Sequence, residues 1–182
     1  MAHDFTILLR SFVKDVENHP KAGVTFKDIT PLLANHDAFS SLIDNMVLNA
    51  KHHIHRDLSY VDLAIMGIES RGFVLAAPIA LKCMARLILA RKPGKLPRQT
   101  IMQEYESEYS KDALEMHITD IKCGTGVIIV DDILATGGTA RAAGEMVQRL
   151  GGTVLGYVFA IELSALDGAK TLNAPSRSAI TY

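Results

Sequence analysis

Two adjacent carboxylates, Asp131 and Asp132, close the apolar run of "VIIVDDILATGGTARAA" (residues 127–143), and Thr-Gly-Gly-Thr leads from there into a helical pattern. In a parallel sheet, a helix that starts beyond the C-terminal end of a strand turns free backbone N–H groups and the positive end of its dipole outward. Residues 135–139 therefore suit an anion. Gly137 and Gly138 let the backbone close on a phosphate, Thr136 and Thr139 add hydroxyl donors, and Ala135 leads into the loop. No Gly-Lys-Ser/Thr follows and no G-x-G-x-x-G is present, so neither a Walker A loop nor a dinucleotide fingerprint is at hand. Asp131 and Asp132 cannot favour that same phosphate and must face a group about one sugar away. Ionised carboxylates only accept hydrogen bonds, which suits a vicinal diol. Strand, acidic pair and anion loop together read as a ribose 5-phosphate site; the competing reading is a helix N-terminus capped by acidic side chains.

The elements that must position such a site follow from hydrophobic periodicity. Residues 5–17 carry Phe5, Leu8, Leu9, Phe12, Val13 and Val16 on one helical stripe, so an amphipathic helix is predicted up to Pro20. Residues 22–35, with Gly23 and Pro31, read as an ordered loop or short strand, and residues 37–55 as a second amphipathic helix. "YVDLAIMGI", "RGFVLAAPIALKCM" and "RLILAR" then give strand, helix and strand, the rhythm of an α/β fold with an open, mainly parallel twisted sheet flanked by helices. Residues 92–113 are polar, hold two prolines and are too long for an ordinary connection, which predicts a lid loop. A strand near "LEMHI", the strand "GVIIVDD", the helix "GGTARAAGEMVQRLGG" and the strand "TVLGYVFAIEL" follow, and "SRSAITY" is either a last strand or a shortened tail.

At 182 residues and 48% hydrophobic content, the chain fits one domain with a sizeable core. A net charge of −1 argues against nucleic-acid partners, so any polyanionic ligand must be met by a local cluster. Cys83 and Cys123 form neither a disulfide framework nor a zinc pattern, and a reducing cytosol fits best. The first twenty residues mix acidic with apolar side chains, unlike a signal peptide, and no stretch approaches the length of a membrane span, so no membrane partner is expected. His52, His53 and His55 lie close together, but their offsets do not place three ligands on one helix face.

The acidic-pair segment is similar to the phosphoribosyl pyrophosphate signature of the type I phosphoribosyltransferases. "HPKAGVTFKDITPLL", "GIESRGFVLAAPIA", "RKPGKLPRQTI", "SEYSKDALEMH" and "ATGGTARAAGEMVQRLGG" resemble, in order and spacing, the blocks of that family's adenine-using branch, over roughly residues 5–170. The resemblance implies conversion of adenine and 5-phosphoribosyl 1-pyrophosphate to AMP and pyrophosphate in purine salvage. It further implies Mg²⁺ held mainly by substrate and water, a cytoplasmic homodimer, an N-terminal hood over about residues 1–35 and a flexible lid over about 92–113.

Residue roles follow from the same resemblance. A cis Glu69–Ser70 peptide would present backbone N–H groups to pyrophosphate, with Arg71, Lys92 and Lys95 adding charge and Arg91 reaching the neighbouring subunit's site. Glu108 would act as acid/base near adenine N7 and Tyr109 would touch the pyrophosphate side. Adenine would lie between Phe26 and Leu163, with main-chain contacts around Thr25 and Lys27. Ala22, Lys27 and Ser110 depart from the proline, arginine and glycine usual there, which bears on hood rigidity and lid motion. Two other readings are carried: a phosphoribosyltransferase for another purine, disfavoured because the "IELSAL" region supplies no lysine for an oxopurine carbonyl, and a non-catalytic sensor of the sugar pyrophosphate, disfavoured by the lack of a DNA-binding segment.

Overall fold

The computed structural model describes residues 2–19, 21–54, 62–106 and 111–182. The chain divides into two units, Met1–Asn45 and Met46–Tyr182. In the first, helix α1 (Ala2–Ser11) is followed by strands β1 (Lys14–Glu17) and β2 (Thr25–Asp28), the one-turn helix α2 (Thr30–Leu33) and the start of α3 (His36–His53). The helix predicted over residues 5–17 thus ends early. The Ser11 hydroxyl donates to the Leu8 carbonyl at 2.7 Å, the kind of local side-chain bond that competes with helix propagation. Beyond it, β1 pairs antiparallel with β2, Val16 opposite Phe26 and Lys27 opposite Asp15. That remote partner is invisible to a periodicity window. The segment expected as loop or short strand does hold a strand, and then turns helical at Thr30, whose N–H donates to the Asp28 carboxylate at 2.9 Å. Pro31 stands in the first turn of α2, where its missing N–H is no loss.

The second unit contains β3 (Leu63–Ile68), α4 (Arg71–Cys83), β4 (Arg86–Ala90), β5 (Thr100–Glu106), β6 (Lys111–His117), β7 (Gly126–Leu134), α5 (Gly138–Arg149), β8 (Thr153–Glu162) and β9 (Ser176–Thr181). Five strands form one sheet in the order β4-β3-β7-β8-β9, with each neighbouring pair parallel. Unbroken burial of Ala64–Met66, Val127–Val130 and Tyr157–Ile161 explains why these segments read as continuous apolar runs, since a parallel sheet flanked by helices is covered on both faces. "SRSAITY" supplies the last strand.

Residues 92–113 are not one irregular loop. Thr100–Glu106 and Lys111–His117 pair antiparallel, from Thr100 opposite His117 to Glu106 opposite Lys111. The reason is a period-two alternation hidden in a polar composition: Tyr105, Leu114 and Met116 join the main core cluster and Ile101 packs against it, while Met102 and Glu104 face solvent. An antiparallel bridge, Arg91 N–H to Glu115 O at 2.8 Å and Glu115 N–H to Arg91 O at 2.7 Å, ties this ribbon to the end of β4.

Candidate active site

The C-terminal ends of β4, β3, β7 and β8, four neighbours in the sheet, run into Arg91–Lys95, Glu69–Arg71, Asp131–Thr139 and Leu163 respectively. Three strand spacings set these segments along an edge of about 14 Å. Sheet order thus gathers one row of groups from positions almost a hundred residues apart.

At β7, Asp131 keeps part of its surface in solvent whereas Asp132 is 5% exposed. Asp132 donates its backbone N–H to Asp131 Oδ1 at 2.9 Å, and its carboxylate accepts from Nε of Arg71. Burial, then the charge of Asp132, pushes the Asp131 carboxyl well above the usual carboxylate range. Asp131, Thr136, Gly137, Gly138 and Thr139 line a cavity of about 70 Å³. Helix α5 begins there, directly after Gly137, whose φ of +83° suits glycine, which has no Cβ to strain. No side chain caps α5 and no acidic residue stands in its first turn. The acidic pair therefore does not serve as a helix cap, and the first-turn N–H groups, which have no intrahelical partner, are directed at whatever fills the loop.

At β3, the Glu69–Ser70 peptide is cis. Helix α4 starts directly after it, again without a side-chain cap or an acidic first turn. Two helix N-termini with anion-binding character thus follow adjacent strands, β3 and β7, and the Asp131–Asp132 pair lies in the C-terminal part of β7, ahead of α5. The Glu69 carboxylate turns back, accepting from Arg91 Nε at 3.1 Å and from the Lys92 N–H at 3.0 Å. Arg91 also donates to the Lys95 carbonyl at 3.0 Å and lies 5.9 Å from the Phe73 ring centre. The Lys92 amine donates to the Tyr105 hydroxyl at 3.2 Å and pairs with Asp112. Lys95 is exposed.

Glu115 is the residue that the sequence reading passed over. Its Oε1 accepts the N–H groups of Lys95 and Leu96, each at 3.0 Å, and Thr100 donates to its Oε2 at 3.3 Å. Burial would raise this carboxyl, but the N–H groups of Leu96, Gly94 and Lys95 and the Thr100 hydroxyl reverse the balance and hold it below its ordinary value. The available signal was a single carboxylate inside the apolar stretch "LEMH".

Beyond β8, the Leu163 N–H donates to the Leu134 carbonyl at 2.9 Å and the Ser164 N–H to the Tyr182 carbonyl at 2.8 Å, so Leu163 is held half-buried between two fixed neighbours. Thr25, Phe26 and Lys27 stand on β2 in the first unit. There the Phe26 ring meets His19 edge-on at 5.3 Å, and Lys27 Nζ reaches both carboxylate oxygens of Asp15, at 2.7 and 2.8 Å. Glu108, Tyr109 and Ser110 lie outside the described residues, as does His55. Among the described residues, no cluster of three or more His, Cys, Asp or Glu side chains could hold a metal, and no helix is long and apolar enough to cross a membrane. Cys83 and Cys123 are both free thiols.

Residues 47–174 match the phosphoribosyl transferase domain, and the chain belongs to that family. It is 47% identical over 175 residues to the adenine phosphoribosyltransferase of Anaeromyxobacter dehalogenans strain 2CP-1, covering 96% of this chain and 98% of that protein. The crystal structure of adenine phosphoribosyltransferase from Rhodothermus marinus matches with a TM-score of 0.88 at 36% identity over 99% of both chains. The Saccharomyces cerevisiae enzyme, complexed with an imino-altritol bisphosphate and adenine, matches with 0.86 at 38% identity, covering 97% of this chain and 99% of that one. The adenine phosphoribosyltransferases are the branch of the family in which the chain stands.

Proposed function

We propose that this site moves the 5-phosphoribosyl group of phosphoribosyl pyrophosphate to adenine, forming AMP and releasing pyrophosphate, a purine salvage step. The observation that carries the reading is the pair of uncapped helix N-termini, α4 and α5, following adjacent strands with Asp131 and Asp132 between them. A ribose bearing a phosphate at one end and a pyrophosphate at the other needs two anion sites around one diol site. Residues 135–139 take the 5-phosphate, Asp131 and Asp132 the diol, and Ser70, Arg71 and Lys95 the pyrophosphate. Leu163 covers one face of adenine; the family resemblance assigns Phe26, with backbone contacts at Thr25 and Lys27, to the base as well.

The bond from adenine N9 to C1 of the ribose forms as the C1–O bond to pyrophosphate breaks. The bonding pair leaves with pyrophosphate, and adenine gives up its N9 proton. Positive charge builds on the sugar in between, so water must be kept out, the task of the segment around residues 92–113. Glu108 assists proton transfer near adenine N7 and Tyr109 meets the pyrophosphate side. Most of the acceleration comes from fixed N–H groups and cations aimed at the departing charge. Mg²⁺ fits this site as an ion carried by substrate: it keeps several waters and needs only one or two protein carboxylates, and Asp131, partly exposed on the cavity, would face that shell. Its contribution when bound is neutralisation of the leaving pyrophosphate.

The active form is a homodimer. Val74 and Leu81 on α4, Met84 just after it and Leu87 on the edge strand β4 are exposed, Leu81 at 81% and Met84 at 95%, which gives a second copy an apolar face to cover. Two free thiols suit a reducing cytosol. A pyrophosphate-release assay with Mg²⁺ and phosphoribosyl pyrophosphate, run in parallel with adenine, hypoxanthine, guanine and xanthine, tests the reaction. Release with adenine alone is expected. Release with an oxopurine would overturn the base assignment, and binding without any release would leave a sensor.

A further inference from the structure

Beyond Leu163 the chain makes two short 3₁₀ turns, Ser164–Leu166 and Gly168–Thr171, joined at Asp167. The second turn lies against the phosphate loop. Thr171 Oγ1 is 2.8 Å from the Gly168 carbonyl oxygen and 3.2 Å from that of Thr136, so its single hydroxyl proton is shared between its own turn and the loop. At Gly168 and Ala135 the two backbones meet directly. A Cβ on Gly168 would stand 2.1 Å from the Ala135 carbonyl oxygen, and one on Gly137 would stand 2.2 Å from Thr171 Oγ1 and 2.6 Å from the Gly168 oxygen. Neither position has room for a methyl group.

We infer that Thr171 and Gly168 are positioning residues that set the direction of the N–H groups in the phosphate loop. In a trans peptide the C=O and N–H point opposite ways, and the Thr136–Gly137 peptide is trans. A hydroxyl that holds the Thr136 carbonyl therefore turns the Gly137 N–H away from the brace, and the close fit at Gly168 prevents the loop from rotating back. Helix α5 lacks any side-chain cap, so nothing on α5 itself performs this task. The same segment begins at Leu163, eight residues before Thr171, so one stretch of chain serves both the base side and the phosphate side of the site.

The inference rests on residues 135–139 holding the 5-phosphate, and ligand pairs separate the two claims. Ribose 5-phosphate and pyrophosphate are titrated calorimetrically into wild type, Thr171→Val, Thr171→Ser and Gly168→Ala. Wild type that fails to bind ribose 5-phosphate sinks the site assignment itself. With wild-type binding in hand, Thr171→Val is expected to weaken ribose 5-phosphate about three- to tenfold, the worth of one hydrogen bond. Pyrophosphate binding stays unchanged, and Thr171→Ser restores the loss. Gly168→Ala, which keeps the hydroxyl but displaces the backbone, gives the same split between ligands. In turnover, Thr171→Val raises KM for the sugar pyrophosphate with little change in kcat, the pattern of lost uniform binding. Equal losses for both ligands, wild-type affinity in Thr171→Val, or failure of serine to rescue would each overturn the inference.

Discussion

Glu115 touches no substrate in the proposed reaction, yet it organises the loop that carries Lys95 by accepting two backbone N–H groups and a hydroxyl. Its carboxyl is held below its ordinary value, so it contributes stability that is present above the unfolded-state value of about 4.3 and is lost as pH falls through the lower folded value. Glu115→Gln keeps the shape and removes the charge. It is expected to cost about 1 kcal/mol at neutral pH, roughly 2–4 °C in melting temperature, with the gap to wild type closing on acidification below about pH 4. A gap that stays constant between pH 7 and pH 3.5 would show that the charge plays no part. Asp131, Asp132 and residues 135–139 were legible in the chain because strand, acids and loop lie within a dozen consecutive positions. Glu115 and Thr171 were not, since their partners lie 20 and 35 residues away and neither residue stands in a motif.

Helix α5 works at both ends. Its N-terminus faces the anion loop, its buried Ala140, Ala142, Ala143, Met146 and Val147 pack into the core, and Arg149 in its last turn donates to the Met102 carbonyl and to Gln103 Oε1, each at 3.0 Å. The helix thereby braces the β5–β6 ribbon from the side. Arg149→Gln is expected to speed amide hydrogen exchange along Thr100–Glu106 several-fold while lowering overall stability by less than about 1 kcal/mol, because the contact is exposed. Unchanged exchange would mean that strand pairing alone holds the ribbon. Buried elements were read correctly from their sequence: α4, β3, β7 and β8 are strongly apolar and one period dominates each. The strand expected near "LEMHI" is β6, whereas β5 and β1 escape the periodicity because short, half-polar segments owe their conformation to a partner strand, Thr100–Glu106 to Lys111–His117 and Lys14–Glu17 to Thr25–Asp28.

The proposed homodimer is a property of the surface that α4 and β4 leave exposed. Leu81→Asp combined with Met84→Asp is expected to shift the protein from dimer to monomer in sedimentation at micromolar concentration, since two charges cannot be desolvated in an apolar contact. A wild-type monomer under the same conditions would remove the dimer, and an unshifted variant would place the interface elsewhere. Features written in consecutive residues are legible along the chain itself: the α/β rhythm, the run of strand, acidic pair and glycine loop at residues 127–139, and the absence of a dinucleotide fingerprint all follow from side-chain type and spacing. Folding alone decided the sheet order β4-β3-β7-β8, the ion pair of Arg71 with Asp132, the hold of Glu115 on the Lys95 loop and the brace of Thr171 on Thr136. Periodicity reports which face of an element is apolar; it carries no information on which remote segment will lie against that face, and hydrogen bonds between segments form only after that packing is chosen.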